Sequence, residues 1–319
     1  MKPRRSTLRA YLALRRSLGY KLRDAARYLE LFLAFLAQRQ APRITAALAL
    51  EFATADPRLG ESSRAARFAA VRAFAQYWHG CDPHSEVPPA GLVRKTARRA
   101  TPWSCAEAPL AALLQSFRDV PPSPVRGLRP WTLEALIGLL AVSGLRISEA
   151  IALQQRDLDW THGTLTVRHT KFGKSRWVVL HRSTLRVLAA YAERRTRFFA
   201  RAAQRPQENF FLSNHGTALF ATSVRKTFRQ HCRAAGLLKL DGRPPRLHDL
   251  RHRFAVETLR RWYRAGGPVE PRLPALATYL GHRSVAATYW YLSGTPALRA
   301  AASKRVEAHW KGVGDDHQR

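Results

Sequence analysis

Apolar residues recur at helical spacing along most of the chain, and the first ninety residues predict helices alone. Four helices are predicted. One covers residues 22–38, and the other three begin with a capping residue at Ser6 or Thr7, at Thr45, and at Ser62 or Ser63. In the last of these helices, the spacing places aromatic and aliphatic residues inward and predicts Arg64, Arg67 and Arg72 on the exposed side. One such arginine is typical of a solvated face, whereas several together predict a surface that grips phosphates.

Residues 82–103 change character, because prolines and a glycine interrupt the helical pattern. The same stretch is basic, with Arg94, Lys95, Arg98 and Arg99 close together. We therefore predict a helical domain at 1–90, a basic linker at 91–103, a second domain at 104–312 and a tail at 313–319. The linker is expected to lie along an anionic partner.

In the second half of the chain, hydrophobic residues recur at helical spacing in some segments and alternate as in strands in others. Helices are predicted over 106–117, 132–142, 183–199 and 222–235, and strands over 164–169, 176–180 and 209–212. Gly144 is expected to end one helix in the left-handed conformation, and Gly281 to break another. The predicted fold class is mainly α with a small antiparallel β-sheet.

Charge is the strongest compositional signal, with 54 Lys plus Arg against 22 Asp plus Glu and a net charge of +32. Such an excess favours a polyanionic partner, and nucleic acid fits best, although membranes and ribosomes also attract basic proteins. The 3 cysteines are far apart and odd in number, which argues against a disulfide framework. With no signal peptide or membrane span in the pattern, a cytoplasmic protein with no membrane partner is expected.

The segment His248-x-x-Arg251-His252 allows three interpretations. The two histidines stand at the spacing of a zinc pair, but the adjacent glutamate of that motif is absent and Arg251 places a cation in the site. Core histidines with satisfied hydrogen bonds are the simplest alternative. The third interpretation is a phosphate pocket. Arg146, after a helix end, is on its own best explained by a salt bridge with Glu149.

The same residues resemble the tyrosine recombinase family, which includes phage integrases and Xer-type recombinases. The resemblance rests on Arg146 in SGLRISEA, Lys171 in TKFGKSR, His248 and Arg251 in LHDLRHRFA, His282 in LGHRS, and Tyr291. It covers roughly 103–305, and the first ninety residues look like the family's helical, SAM-like core-binding domain. The stretch TYWYLSGTP is most similar to recombinases carried on transposable elements.

The resemblance implies a role for each of these residues. Arg146 and Arg251 would hold the non-bridging phosphate oxygens, His248 and His282 would donate hydrogen bonds or handle protons, and Tyr291 would form a 3′-phosphotyrosyl bond. Lys171 is implied as the general acid for the 5′ oxygen, with Lys174 as the alternative and otherwise a DNA contact. No metal, ATP or other cofactor is expected.

Two tyrosines compete for the nucleophile. Tyr289 and Tyr291 point about 200° apart on a helix, so both cannot face one phosphate. The nine-residue step after His282, a feature of the family, favours Tyr291. Tyr289 and Trp290 are then expected to pack the segment against the domain.

The expected function is site-specific DNA recombination for integration, excision or transposition. The two domains are expected to close around duplex DNA in a C-shaped grip. The protein is expected to be a monomer when free and a tetramer on DNA, acting alone or with other recombinases. Residues 295–310 predict an amphipathic helix that docks on a neighbouring protomer or on its own domain. Alternatives are a type IB topoisomerase and a non-catalytic DNA-binding protein with the same fold.

Overall fold

The computed structural model describes residues 3, 5–94, 103, 106–118, 127–168, 175–203, 205–266, 268–282, 284–294 and 303. The chain divides into two compact units, Met1–Ala100 and Thr101–Arg319. Within the described ranges, no helix has the length and apolarity to cross a lipid bilayer. Residues 295–302 and 304–310 are not among the described ones, so the predicted C-terminal helix stays a prediction.

The first unit is helical, as predicted. Its helices are α1 Arg5–Ser17, α2 Arg23–Gln38, α3 Ala46–Thr54 and α4 Glu61–His79. The Thr45 hydroxyl accepts a hydrogen bond from the Leu48 amide at 3.2 Å, which confirms the predicted cap of α3. Leu29, Phe32, Val71 and Phe74 form the centre of a fully buried core.

Two predicted helix starts in this unit are wrong. Helix α1 begins at Arg5, so Ser6 and Thr7 lie inside it. Helix α4 begins at Glu61, after an extended Gly60, so neither Ser62 nor Ser63 is its cap. The acidic Glu61 in the first turn favours this earlier start, since a carboxylate stabilises the positive end of the helix dipole.

The second unit holds more helices and one sheet. The helices are α5 Glu107–Ser116, α6 Arg129–Ser143, α7 Ile147–Ile151, α8 Arg182–Arg201, α9 Ala221–Ala234, α10 Leu247–Arg264, α11 Leu273–Leu280 and α12 Ala286–Gly294. Helix α6 lies in the main core. Where α10, α11 and α12 meet, a smaller apolar cluster includes Leu259, Leu273, Leu280 and Tyr291.

The sheet is antiparallel with strand order β1, β2, β3, and the strands are Leu158–Asp159, Thr164–Val167 and Arg176–Val179. Leu165 pairs with Val178, and both side chains are buried. This confirms the predicted fold class, mainly α with a small antiparallel β-sheet. Strand β1 was not predicted, because two residues are too few for an alternating pattern.

Two further predictions differ from the structure. Helix α8 begins at Arg182 with His181 as its cap, and the His181 ring accepts from the Ser183 amide at 3.3 Å. Ser183 is therefore inside the helix. The predicted strand at 209–212 is reduced to isolated bridges, Gln154 with Asn209 and Leu212 with Ala218.

Candidate active site

Two left-handed glycines shape the centre of the site. Helix α6 ends at Gly144 (φ 62°) and α11 ends at Gly281 (φ 67°), as predicted. A Cβ on Gly144 would lie 2.7 Å from Cδ1 of Phe254 and 2.9 Å from Cδ2 of Leu280, so position 144 requires glycine for space as well as conformation. The two turns bring the carboxyl ends of α6 and α11 to the same place.

Arg251, on α10, joins these two helix ends. Its Nη1 donates to the Gly144 carbonyl at 2.8 Å and its Nη2 to the Leu280 carbonyl at 2.6 Å. The side chain is 1% exposed. Burial, followed by the nearby charge of Arg146, lowers the pKa of Arg251 to about 10, so the guanidinium stays charged at neutral pH.

Arg146 lies beside it, between α6 and α7. Its Nη2 donates to the Gly281 carbonyl at 3.0 Å, and its Nη1 donates to Oε1 of Glu149 at 2.7 Å. The salt bridge expected from the simple interpretation is therefore present. It does not compete with the site, because the same guanidinium also reaches the α11 turn next to Arg251.

Arg176 completes this charged layer, and the sequence pattern did not single it out. It is the first residue of β3, and its Nη2 donates to Oε2 of Glu149 at 2.8 Å. Its Nε donates to the Tyr279 carbonyl at 2.7 Å. Burial alone would raise the pKa of Glu149, but hydrogen bonds from Arg176 and Arg146 hold that pKa below its ordinary value. The carboxylate thus fixes two arginines in one layer.

The histidines of the site have lowered pKa values. His282 follows Gly281, and its Nδ1 lies 2.9 Å from the Thr288 hydroxyl. Burial, then the charges of Arg251 and Arg146, lowers the pKa of His282 to about 4. His248, in the first turn of α10, is open to solvent on one side. Partial burial of its ring and the Arg251 charge lower its pKa as well.

Tyr291 is held inside this group, and Tyr289 is not. Tyr291 is 2% exposed and Tyr289 is 49% exposed, which agrees with the helical argument that they face different directions. The Tyr291 ring stacks on His282 with 6.1 Å between ring centroids. The predicted packing of Tyr289 is wrong, because its ring lies on the solvent side of α12. Trp290 does pack, against the His252 ring.

The sequence predicts no catalytic role for His252, although this residue closes the segment His248-x-x-Arg251-His252. In the structure its Nδ1 lies 3.2 Å from the Tyr291 hydroxyl. Its position four residues after His248, one helical turn further along α10, was the only available signal. The structure thus brings Arg146, Arg251, His248, His282 and Tyr291 together with His252.

The two predicted lysines, Lys171 and Lys174, lie outside the described residues, as do the linker residues Lys95, Arg98 and Arg99. Arg94 is described and exposed. Arg64, Arg67 and Arg72 are half-buried rather than on an open face. Arg64 and Arg72 donate to the carbonyls of Pro57 and Pro88 at 3.1 and 3.0 Å. The guanidinium of Arg67 stacks over the Phe52 ring at 5.3 Å, which explains its burial.

Within the part of the chain that the structure describes, no three His, Cys, Asp or Glu side chains are grouped as a metal site. The charges at the centre are guanidiniums, and their donors converge beside a phenol. That arrangement suits an anionic substrate with several oxygens.

Comparison with known proteins gives concordant results. The model of the phage integrase family matches residues 124–297. A Sinorhizobium fredii protein described as integrase/recombinase y4rB is 43% identical over 309 residues, covering 96% of this chain and 98% of that protein. Tyrosine recombinase XerC of Roseiflexus sp. is 30% identical over 240 residues, covering 73% of this chain and 69% of its own.

Solved structures share the fold at low sequence identity. The XerH site-specific recombinase bound to its difH substrate, in a post-cleavage complex, aligns with a TM-score of 0.64 and 19% identity over 87% of this chain and 79% of that chain. The Tn1549 transposon integrase in complex with transposon right end DNA aligns with a TM-score of 0.63 and 17% identity over 94% of this chain and 99% of that chain.

Proposed function

The chain belongs to the phage integrase family of tyrosine recombinases, and from that premise we propose that its Tyr291 cuts and rejoins duplex DNA at a specific site. Site-specific recombination is the activity that this membership supports. The observation that carries the assignment of residues is the convergence of Arg146, Arg251 and the Tyr291 phenol at the joined ends of α6 and α11.

The two arginines bind and stabilise the scissile phosphate. Each guanidinium is anchored through some of its N–H groups to backbone carbonyls, so its remaining donors have a fixed direction. When Tyr291 attacks, negative charge grows on the non-bridging oxygens. Donors that are already oriented stabilise that charge without reorganisation, which is worth about 10²–10³ in rate for a single oxyanion donor.

The remaining groups handle protons and hydrogen bonds. His248 and His282, whose pKa values are lowered by burial and by the arginines, donate N–H groups to the phosphate. Lys171 is proposed as the acid that protonates the departing 5′ oxygen, a role that rests on resemblance. The product is a 3′-phosphotyrosyl bond, which conserves the bond energy for rejoining.

Helix α9 supplies a DNA-binding face. Val224, Phe228 and Cys232 are buried on one side of it. The opposite, exposed side carries a row of cations, Arg225, Lys226, Arg229 and Arg233. Such a row neutralises phosphates along a groove, and its charge is unmatched by acidic neighbours on the same helix. We propose that α9 contacts the duplex beside the scissile phosphate.

The proposed context is a mobile element, with duplex DNA as the partner and a tetramer as the assembled form. The Tn1549 transposon integrase, bound to its transposon end, supports this context by its shared fold. Other recombinases are proposed as further partners. Inverted repeats in the DNA flanking the gene are the expected observation, and flanks without them would favour another role.

The test of the proposed function is covalent capture of DNA. A randomised duplex library is first enriched for binding to the Tyr291→Phe protein, and the enriched duplex is labelled. Wild-type protein should give a DNA-linked band on a denaturing gel, with and without EDTA. Tyr291→Phe should bind equally and give no band.

Tyr289→Phe is the matched control, because it loses the same atom two residues away and should still form the band. An adduct from Tyr291→Phe, or loss of the wild-type adduct on chelation, would contradict the arginine-based mechanism.

A further inference from the structure

His252 contacts the nucleophile directly. Its Nδ1 lies 3.2 Å from the Tyr291 hydroxyl. The His252 ring packs against α12, with its centroid 5.4 Å from Trp290 and 5.5 Å from Tyr291. The His248 ring, one turn earlier on α10, lies 4.6 Å from it, so contacts from both helices hold the imidazole with one nitrogen near the phenol.

The reaction needs a proton acceptor at this point. A tyrosine hydroxyl has a pKa of about 10, so at neutral pH it is almost entirely protonated and a poor nucleophile. His282 does not supply the acceptor, since its Nδ1 faces Thr288 and its ring stacks on the Tyr291 ring with an interplanar angle of 22°. The arginines are donors alone.

The protonation state of His252 suits an acceptor. Burial, followed by His248, lowers the pKa of His252 to about 4. The charged and titratable groups around it are His248, Asp249, Arg246 and Arg251 on α10 and the Tyr291 phenol on α12. In the neutral tautomer that carries its proton on Nε2, the Nδ1 lone pair accepts a hydrogen bond from the Tyr291 hydroxyl. A bound phosphate adds negative charge nearby, which raises the basicity of the ring.

We propose that His252 is a catalytic residue whose Nδ1 accepts the Tyr291 proton as the phenol oxygen bonds to phosphorus. The Oη–P bond forms, the bond from phosphorus to the 5′ oxygen breaks, the phenol proton moves to Nδ1, and the 5′ oxygen is protonated by the general acid assigned to Lys171. Rejoining runs the same transfers in reverse. The inference rests on the proposed function, because it presupposes attack by Tyr291.

The first experiment measures the rate of adduct formation on the enriched duplex for wild type and His252→Gln. Removing a general base lowers the rate by about 10²–10⁴-fold at neutral pH. The deficit should shrink as the pH approaches 10, because hydroxide then removes the phenol proton. Replacing the bridging 5′ oxygen by sulfur should restore Lys171→Ala but not His252→Gln, since sulfur leaves without a proton and the nucleophile remains protonated.

Exposed His162, in the β1–β2 turn, provides the control, and His162→Gln should match wild type at every pH. A deficit of His252→Gln that stays constant with pH, or its restoration by the sulfur substrate, would overturn the proposal. A deficit that stays constant with pH would indicate that His252 has a purely structural role.

A second measurement uses no DNA and does not depend on whether the His252 variant folds. In wild-type protein, ¹⁵N NMR should show a neutral His252 with Nδ1 unprotonated, and Tyr291→Phe should shift that nitrogen. A protonated Nδ1 would exclude it as the acceptor. Failure of wild type to form any adduct, with this NMR contact intact, would refute the proposed function rather than the His252–Tyr291 geometry.

Discussion

At the scale of single residues, the half-buried histidines make stability depend on pH. His252 and His282 both have a pKa lowered to about 4, chiefly by burial. In the unfolded chain an imidazole has a pKa of about 6.5. Between these values the unfolded state binds more protons than the folded state, so the free energy of unfolding falls as the pH drops from about 6.5 towards 4.

Urea unfolding of DNA-free protein at pH 7 and pH 5 checks this. His252→Gln and His282→Gln should each reduce the loss of stability between the two pH values. This window lies above the titration range of most carboxylates, so the difference belongs to the histidines. An unchanged pH slope in both variants would show that these histidines titrate normally in the folded protein.

The role of a residue could be predicted where the residue belongs to a recognisable sequence pattern. It could not be predicted where the contacts of the side chain are to residues far away in the sequence. Helical geometry separated Tyr291 from Tyr289, and the structure places only the former inside the site. The sequence does not predict a role for Arg176, because its partners, Glu149 and the Tyr279 carbonyl, are 27 and 103 residues away. A cation at a strand start carries no local signal of burial.

At the scale of elements, the glycine turns determine where the carbonyls point. Gly144→Ala combines a left-handed backbone with a clash against Phe254 and Leu280. We expect a loss of stability of about 1–3 kcal/mol, together with slower adduct formation, because the Gly144 carbonyl that holds Arg251 must move.

The matched control is Gly236→Ala, which follows α9 at φ 66° with no heavy atom within 4 Å of the added Cβ. It should lose only the conformational part, about 1 kcal/mol, and keep the wild-type adduct rate. Urea unfolding and gel assays measure both variants. Equal rates for the two would show that crowding at Gly144 has no effect on the site.

Helix ends with a glycine were predicted correctly at both Gly144 and Gly281, because glycine alone readily takes the left-handed cap conformation. Helix starts were predicted less well. Gly60 and His181 precede α4 and α8, whereas the sequence predicts nearby serines as the caps. The choice between adjacent candidates depends on the packing of the whole helix, which a local pattern does not contain.

At the scale of the whole molecule, the net charge of +32 dominates encounters with DNA. Affinity for DNA should fall log-linearly with salt, with a slope of about 0.9 for each phosphate neutralised. Removing one phosphate contact on α9, as in Arg229→Ala, should lower that slope by about 1. Fluorescence anisotropy over a salt series measures it. A salt-independent affinity would contradict phosphate-dominated binding.

The division at 1–90, 91–103 and 104–312 stays a prediction at its boundaries, although the chain does divide into compact units at Ala100 and Thr101. The catalytic lysine and the C-terminal helix are likewise still predictions. Both depend on residues outside the described ranges.

The anchoring of Arg251 to two helix ends has a consequence for how copies of such a gene decay. A copy in which Tyr291 becomes phenylalanine loses one hydroxyl, and we expect its product to stay folded and to compete with intact enzyme for the same DNA sites. A copy that loses Arg251 leaves two buried carbonyls without their donor. Its product should be unstable and degraded, so it should not persist as a competitor. Surviving inactive copies should therefore be enriched in Tyr291→Phe and depleted in changes at Arg251.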